Sequence, residues 1–254
     1  MLILERQRQL IEFLNERGSA DLETLSSQLD VSVSTVRRDL DRLADQGLVQ
    51  RTHGGAVTTR PNAPAAANGQ TTAFAARMAD NTAAKQAIGA AAAKLIQPNM
   101  TLLMDAGSTV VYAAQQIQVR PIQIATTSLA IAQHFANDDQ VEITVVGGKL
   151  YPRTSAMVGP LAREALRDLY ADLCFLSLAA IDQNAGYNLN LEQTQVEQAM
   201  MQQAEKTVLL MDASKFGRRS LVKVADTDRF DQIITDPGID PIWPTQLADQ
   251  LTIA

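Results

Sequence analysis

The chain has 254 residues, 46% of them hydrophobic, and a formal net charge of −6. That length supports a sizeable core and more than one domain, and the negative balance excludes a surface that holds nucleic acid everywhere by charge alone. A single cysteine, Cys174 in the apolar run LCFLSLA, forbids an internal disulfide and reads as a small buried hydrophobe in a reducing compartment. The early charges of MLILERQRQ, and the lack of an apolar run near the roughly 20 residues of a membrane helix, predict a soluble cytoplasmic protein with no membrane partner.

In chain order, Leu4, Leu10, Ile11 and Leu14 follow a helical spacing. Gly18 ends that helix, and Asp21 offers an N-cap to the next, LETLSSQLD, with Leu22, Leu25 and Leu29 on its buried stripe. Ser32 is a second N-cap. The helix it opens carries Val33, Val36, Leu40 and Leu43 on one side, and Gly47 closes it. LVQRTHGGAV then alternates about His53-Gly54-Gly55, a hairpin signature. Three short helices and a hairpin read as a winged helix-turn-helix over residues 1–57.

Within that unit, VSVSTVRRDL sets two arginines side by side. Neighbours on a helix point about 100° apart, so Arg37 and Arg38 do not share one salt bridge. With Val33, Val36 and Leu40 inward, Ser34, Thr35, Arg37, Arg38 and Asp41 lie on or beside the outer face. The second helix of such a motif presents its N-terminal half to the DNA major groove. Arginine bridges O6 and N7 of guanine or clamps phosphate, and the Ser32, Ser34 and Thr35 hydroxyls suit phosphate. Arg51, His53 and Gly54 of the wing complete the candidate DNA contacts. Residues 32–60 hold five arginines against three aspartates, so this stretch is locally positive. The plain alternative is a solvated charged face, and the caps, turn and wing around it weigh against that.

Here RQRQLIEFL and VSVSTVRRDLDRLADQGLVQRTHGGAV resemble the N-terminal domain of the DeoR family of bacterial transcriptional repressors. Ser32 to Leu40 fits that family's Ser-x-x-Thr-hydrophobic-Arg-Arg-Asp-Leu core. Arg6, Leu10 and Leu14 sit at its upstream spacing, and His53 to Ala56 matches its wing. The resemblance implies that the helix starting at Ser32 reads an operator.

TTRPNAPAAANGQTTA, with prolines, Asn-Gly and a single charge at Arg60, reads as a linker over residues 58–76. Residues 77–254 then alternate helices with apolar strands. AAKQAIGAAAAKLI is a helix ending at Gln97-Pro98. TLLMDAGST, IQIATTS, VEITVVGG, ADLCFLSLAAID, TVLLMDAS and DQIITD are strand candidates. That alternation predicts a mostly parallel α/β sheet covered on both faces. Ligands of such sheets bind beyond the strand carboxyl ends. Asp105, Gly107, Ser108 and Thr109 lie at one end, Thr127 and Ser128 at another, Gly147 and Gly148 at a third. Gly107-Ser108-Thr109 opens a helix whose free amides and hydroxyls suit a phosphate, or simply cap the helix. Lys215, after MDAS, is either a cation for the same anion or ordinary surface.

This block is similar to the DeoR C-terminal sensor domain, whose fold resembles ribose-5-phosphate isomerase. Phe74, Arg77, Asn81 and Lys85 fit the family's entry motif, DAGST its Asp-x-Gly-Thr-Thr loop, TTSLAIA its Thr-Asn-Ser-Leu loop, and DASKFG its late Asp-Ser-Ser-Lys-Phe-Gly. FLSLAAID departs from Phe-x-Gly-Ala-Asp-Gly-Ile: Ala179 stands at the acidic position, and Ser177 and Ala180 at the glycines. Glu197 stands where Lys is common, and Thr127 where Asn is.

The implied function is a sequence-specific DNA-binding regulator, a repressor of carbohydrate genes released from operator by a phosphorylated sugar or related metabolite. Its expected partners are double-stranded operator DNA, that effector, and further copies of the chain, since two half-sites multiply affinity. Two other readings stand beside it: a ligand-independent regulator whose second block only oligomerises, and a sugar-phosphate isomerase with an added winged helix. Proton transfer between carbons needs a positioned general base, and Ala179 stands where the related carboxylate would be. No catalytic residue, metal or cofactor is called for.

Overall fold

The computed structural model describes residues 6, 7, 9–11, 13, 14, 19–29, 31–45, 49–52, 54–58 and 74–254. The chain separates into two compact units, Met1–Gln70 and Thr71–Ala254. Leu4, Gly18, Gly47, His53 and residues 59–73 of the expected linker lie outside the described residues.

In the first unit, Arg6, Gln7, Gln9, Leu10, Ile11, Phe13 and Leu14 are helical and belong to α1. β1 (Ser19–Asp21), α2 (Leu22–Leu29), α3 (Val33–Asp45), β2 (Val49–Arg51) and β3 (Gly55–Thr58) follow. Leu10, Leu14, Leu25, Val36 and Leu40 are wholly buried in one core, as their spacing predicts. Val33 corrects the expected stripe: it is only half-buried, because it begins the helix at the margin of that core. Asp21 caps α2 as expected, accepting the Thr24 N–H at 2.8 Å. β1 was not foreseen. It pairs antiparallel with β3, making a sheet of order β1-β3-β2.

That third strand explains one glycine of the wing. A Cβ on Gly55 would lie 2.1 Å from the Ala20 carbonyl oxygen, so β1 passes too close for any side chain. Gly54 meets nothing within 4 Å and sits exposed at the hairpin loop. The two glycines therefore differ: one admits a strand, the other leaves backbone open to solvent.

The second unit opens with α4 (Phe74–Ala79) and α5 (Thr82–Ala93). Then come β4 (Thr101–Met104), α6 (Ser108–Gln116), β5 (Ile122–Thr126), α7 (Leu129–Phe135) and β6 (Val141–Val145). A hairpin of β7 (Lys149–Tyr151) and β8 (Ala156–Val158) leads to α8 (Pro160–Leu166), β9 (Ala171–Leu176), β10 (Ala180–Ile181) and β11 (Ala185–Asn188). α9 (Leu191–Gln202), β12 (Ala204–Leu210), β13 (Val222–Asp226), β14 (Gln232–Thr235), α10 (Ile242–Leu247) and β15 (Leu251–Ile253) complete the chain.

Seven strands form one sheet of order β15-β14-β12-β9-β4-β5-β6, and every pairing in it is parallel. The strand sequences are apolar throughout because both faces are buried. Successive residues alternate between two cores. Leu102, Met104, Leu173, Phe175, Val208 and Leu210 face α5, α6 and α7. Leu103, Cys174, Leu176, Leu209 and Met211 face α8, α9 and α10. FLSLAAID is not one strand: β9 stops at Leu176, and Ala180 resumes in a separate antiparallel sheet of order β10-β11-β13. Among the described residues no helix is long and apolar enough to cross a membrane.

Candidate functional site

The first candidate surface is the outer face of α3. Ser32 precedes the helix and accepts the Thr35 N–H through Oγ at 3.3 Å, while its hydroxyl lies 2.9 Å from those of Ser34 and Thr35. These hydroxyls thus begin as a local cap that DNA would share. Ser34, Arg37 and Arg38 are exposed and Thr35 is half-buried. Neither arginine's side chain has a hydrogen bond or ion pair with another described residue. Two unneutralised guanidinium groups on the second helix of the motif suit a polyanion.

Asp39, the third residue of Arg-Arg-Asp, does a different job. It is 1% exposed and accepts Arg6 Nε at 2.6 Å and Gln7 Nε2 at 3.3 Å. The carboxylate therefore ties α3 to α1 and sets the angle at which the outer face is presented. Sequence reasoning placed Arg6 at a family spacing without assigning this bond. Arg51 is half-buried in β2 and forms an ion pair with Asp41 of α3, so it is engaged within the protein rather than free. Gly54 is exposed, and His53 lies outside the described residues.

The second candidate surface is the carboxyl-end rim of the seven-stranded sheet. A parallel sheet sends all its strand ends to one side, so the residues after β4, β5, β6, β9 and β12 share that rim. Asp105 follows β4, is 2% exposed and accepts the Gly107 N–H at 3.0 Å. Burial raises its pKa, against the pull of the Ala106 and Gly107 amides and of Arg77. Gly107 is the N-cap of α6, where a Cβ would lie 2.5 Å from that of Ser177. The β4 and β9 loops meet there with no room for a side chain. Ser108 and Thr109 form the first turn of α6, are 4% and 2% exposed, and no other described residue engages their hydroxyls. The first amides of a helix have no intrahelical partner, and its dipole favours an anion there.

Thr127 and Ser128 are buried after β5. Ser128 caps α7 by accepting the Ile131 N–H at 3.3 Å, and the Thr127 carbonyl accepts the Met157 N–H of β8 at 2.8 Å. Both therefore serve the scaffold first. A Cβ on Gly147 would meet nothing within 4 Å, whereas one on Gly148 would strike the Val158 carbonyl at 2.8 Å. The β7–β8 hairpin covers part of the rim: Ala156, Val158 and Tyr151 pack on Ala106. Lys215 sits half-buried on a 3-10 turn after β12, and its side chain has no hydrogen bond or ion pair with another described residue.

Several rim groups were quoted only as family motif, not as effector contacts. Lys85 is 4% exposed and donates to the carbonyls of Arg77 and, at 2.5 Å, Asp80. Burial lowers its pKa, while Asp212 and Asp80 oppose that and Lys215 adds to it. Asn81 donates to Asp212 at 3.0 Å, and a cleft of about 430 Å³ opens between the first turn of α5 and the residues after β12 and β14. Arg77 feels both Asp105 and Glu197, which favour its charge against burial.

Glu197, where Lys is common in the resembled family, lies in the interior of the second unit. It is wholly buried on α9, accepting Asn188 Nδ2 at 2.6 Å and Gln193 Nε2 at 2.9 Å, with Oε2 unpartnered. Burial, then the Asp105 charge, push its pKa well up. The Cys174 thiol is likewise pushed well up, first by burial, which fits an inert core residue. Ala179 is half-buried and offers no side-chain polar group. Among the described residues no group of three or more His, Cys, Asp or Glu is placed to hold a metal.

Comparison with known proteins assigns both units of the chain to known domain families. Residues 6–61 match the DeoR-like helix-turn-helix domain, and residues 80–237 match the DeoR C terminal sensor domain. The chain is 32% identical to the HTH-type transcriptional regulator GlpR of Haloferax volcanii, covering 94% of this chain and 92% of that one. It is 33% identical to a putative aga operon transcriptional repressor of Escherichia coli O157:H7, over 92% of this chain and 87% of that one. It is 32% identical to an L-fucose operon activator of Haemophilus influenzae, over 92% of each. A ribose 5-phosphate isomerase from Methanocaldococcus jannaschii is 16% identical with a TM-score of 0.37, covering 54% of this chain and 55% of that one. The chain belongs to the DeoR family: it is a DNA-binding transcriptional regulator carrying a small-molecule sensor domain, and not an enzyme.

Proposed function

We propose that this regulator is a cytoplasmic homo-oligomeric repressor of carbohydrate genes, whose sensor domain binds a phosphorylated sugar or related metabolite and thereby releases operator DNA. Residues 1–57 read the DNA, 58–76 link, and 77–254 sense and oligomerise. The observation that carries the effector reading is the first turn of α6, where unengaged Ser108 and Thr109 hydroxyls meet free helix amides on the carboxyl-end rim of the sheet. Relatives named for the aga and L-fucose operons support the carbohydrate assignment. Arg37 and Arg38, exposed and unneutralised, are the proposed operator contacts, and the sequence adds Ser32, Ser34, Thr35, Arg51, His53 and Gly54 to the proposal.

The test has two arms. In a gel shift on duplexes selected by the full chain, Arg37→Ala and Arg38→Ala each weaken binding by about 1–3 kcal/mol. Wild-type affinity in both variants would remove the recognition-helix assignment. In the second arm, a panel of sugar phosphates is screened for a rise in the sensor domain's melting temperature and for operator release. A second reading, in which the sensor domain only oligomerises, draws on Ala179 and on the buried acids Asp105 and Glu197 facing Arg77. It is the outcome if no sugar phosphate shifts melting while operator binding is intact.

A further inference from the structure

The outer face of α3 is not uniformly basic. At 100° per residue, Ser34, Arg38 and Asp41 fall within about 60° of arc, and Asp41 sits between the directions of Arg37 and Arg38. A carboxylate is thus set in the middle of a surface that meets polyanionic DNA. It is not left unpaired. Arg51, on the first strand of the wing, reaches across to it, with side-chain exposures of 29% and 56%. The Arg51 Nε is buried without a partner, so the guanidinium is not saturated by Asp41. Asp41 also has no helix to cap: it lies mid-helix in Val33–Asp45, and among the described residues its ion pair runs to the wing. An exposed pair of this kind contributes little to stability. Stability therefore does not explain why this carboxylate occupies the DNA-facing surface.

We propose that Asp41 is a positioning residue that determines DNA specificity through Arg51. It clamps the wing arginine against the recognition helix and competes with DNA phosphate for it. On a sequence that does not fit α3, Arg51 stays with Asp41, and the carboxylate adds repulsion. Sequence-independent affinity is thereby held down. On a fitting sequence, base contacts from α3 bring phosphate close enough for Arg51 to exchange one anionic partner for another. The inference rests on α3 being the recognition helix, and its test separates the two ideas.

The full chain is assayed against a random-sequence duplex and against a duplex it has itself selected, over a range of salt. Asp41→Asn keeps shape and removes the charge. One extra phosphate contact steepens the salt dependence by about 0.9 per decade, which tightens random-duplex binding roughly fivefold at about 0.15 M salt. Preference for the selected duplex falls by a similar factor. In an Arg51→Ala background, Asp41→Asn has at most the small effect of losing one repulsive charge. Random-duplex affinity and salt slope unchanged in Asp41→Asn overturn the proposal. So does an equal gain with Arg51 already removed, because the charge would then act without the arginine. Loss of preference at a single base pair with random binding unchanged also overturns it, and would make Asp41 a base reader. If Arg37→Ala and Arg38→Ala leave binding intact, the recognition helix itself is wrong, whatever Asp41→Asn does.

Discussion

Asp39→Asn is the sharpest probe of how the DNA-binding unit is held together. The carboxylate is 1% exposed, and Arg6, its partner at 2.6 Å, has a side chain 12% exposed. Removing one member of a buried pair leaves an uncompensated charge and costs about 3–5 kcal/mol, and partial access of water to Arg6 places this site near 3. The unit spans 70 residues, whose whole stability at roughly 0.05–0.15 kcal/mol per residue is about 4–10 kcal/mol. A loss of that size lowers the melting temperature of a small domain by roughly 12–24 °C. Calorimetry of the full chain should show the first unit's transition falling while that of the sensor unit stays. At low temperature, operator binding should survive, because Arg37 and Arg38 are untouched. A paired change, Arg6→Met with Asp39→Leu, should recover most of the loss, since apolar replacement of a buried pair is often neutral. An unshifted first transition with operator binding lost at every temperature would refute the reasoning and make Asp39 a DNA contact.

Two further outcomes concern the sensor rim. Ser108→Ala should leave melting within about 1 °C of wild type, because no described residue uses the hydroxyl, and should weaken effector binding by about 1 kcal/mol, read by calorimetry; unchanged effector affinity would move the anion site off this loop. Glu197→Gln should flatten the pH dependence of stability: the folded chain holds that proton above its ordinary 4.5, so the acid's contribution is full at lower pH and lost as pH rises through the folded value. Urea midpoints at about pH 5 and about pH 8 should fall less in the variant than in wild type, and parallel falls would show that Glu197 does not titrate in that window.

The helices of the first unit were legible because their signals are local. Asp21 and Ser32 each bond within three residues, and Leu25, Val36 and Leu40 announce their burial by spacing. What was not legible depends on distant partners. Asp39 finds Arg6 across 33 positions, and nothing in Arg-Arg-Asp marks its third residue as inward. β1 is three residues long and exists only through β3, so Ser19–Asp21 carries no strand pattern of its own. Gly55 was read as turn chemistry, yet its physical reason is the Ala20 carbonyl, which that unforeseen strand brings near.

The rim shows the same division more strongly. Strand ends were readable because an apolar run stops abruptly at Asp105, Thr127 or Gly147. Their chemistry was not, because it is set by groups from other elements. Arg77 on α4, Asp105 after β4 and Glu197 on α9 act on one another although they are 28 and 92 positions apart, as their mutual pKa effects record. On the surface Glu197 would repel an anion; it is instead buried against Asn188 and Gln193, and that burial raises its pKa. Gln193 is in turn met by Thr154 at 3.3 Å, at the end of the β7–β8 hairpin whose other face packs on Ala106. Hydrogen bonds and packing thus run from the loop before α6 to α9 by way of the hairpin, and charge runs there directly through Asp105. Strongly shifted acids collect where burial and a specific charge partner are combined, which is a property of sites more than of scaffolds. The combination here is drawn from α4, the end of β4 and α9, so no single stretch of the sequence could announce it.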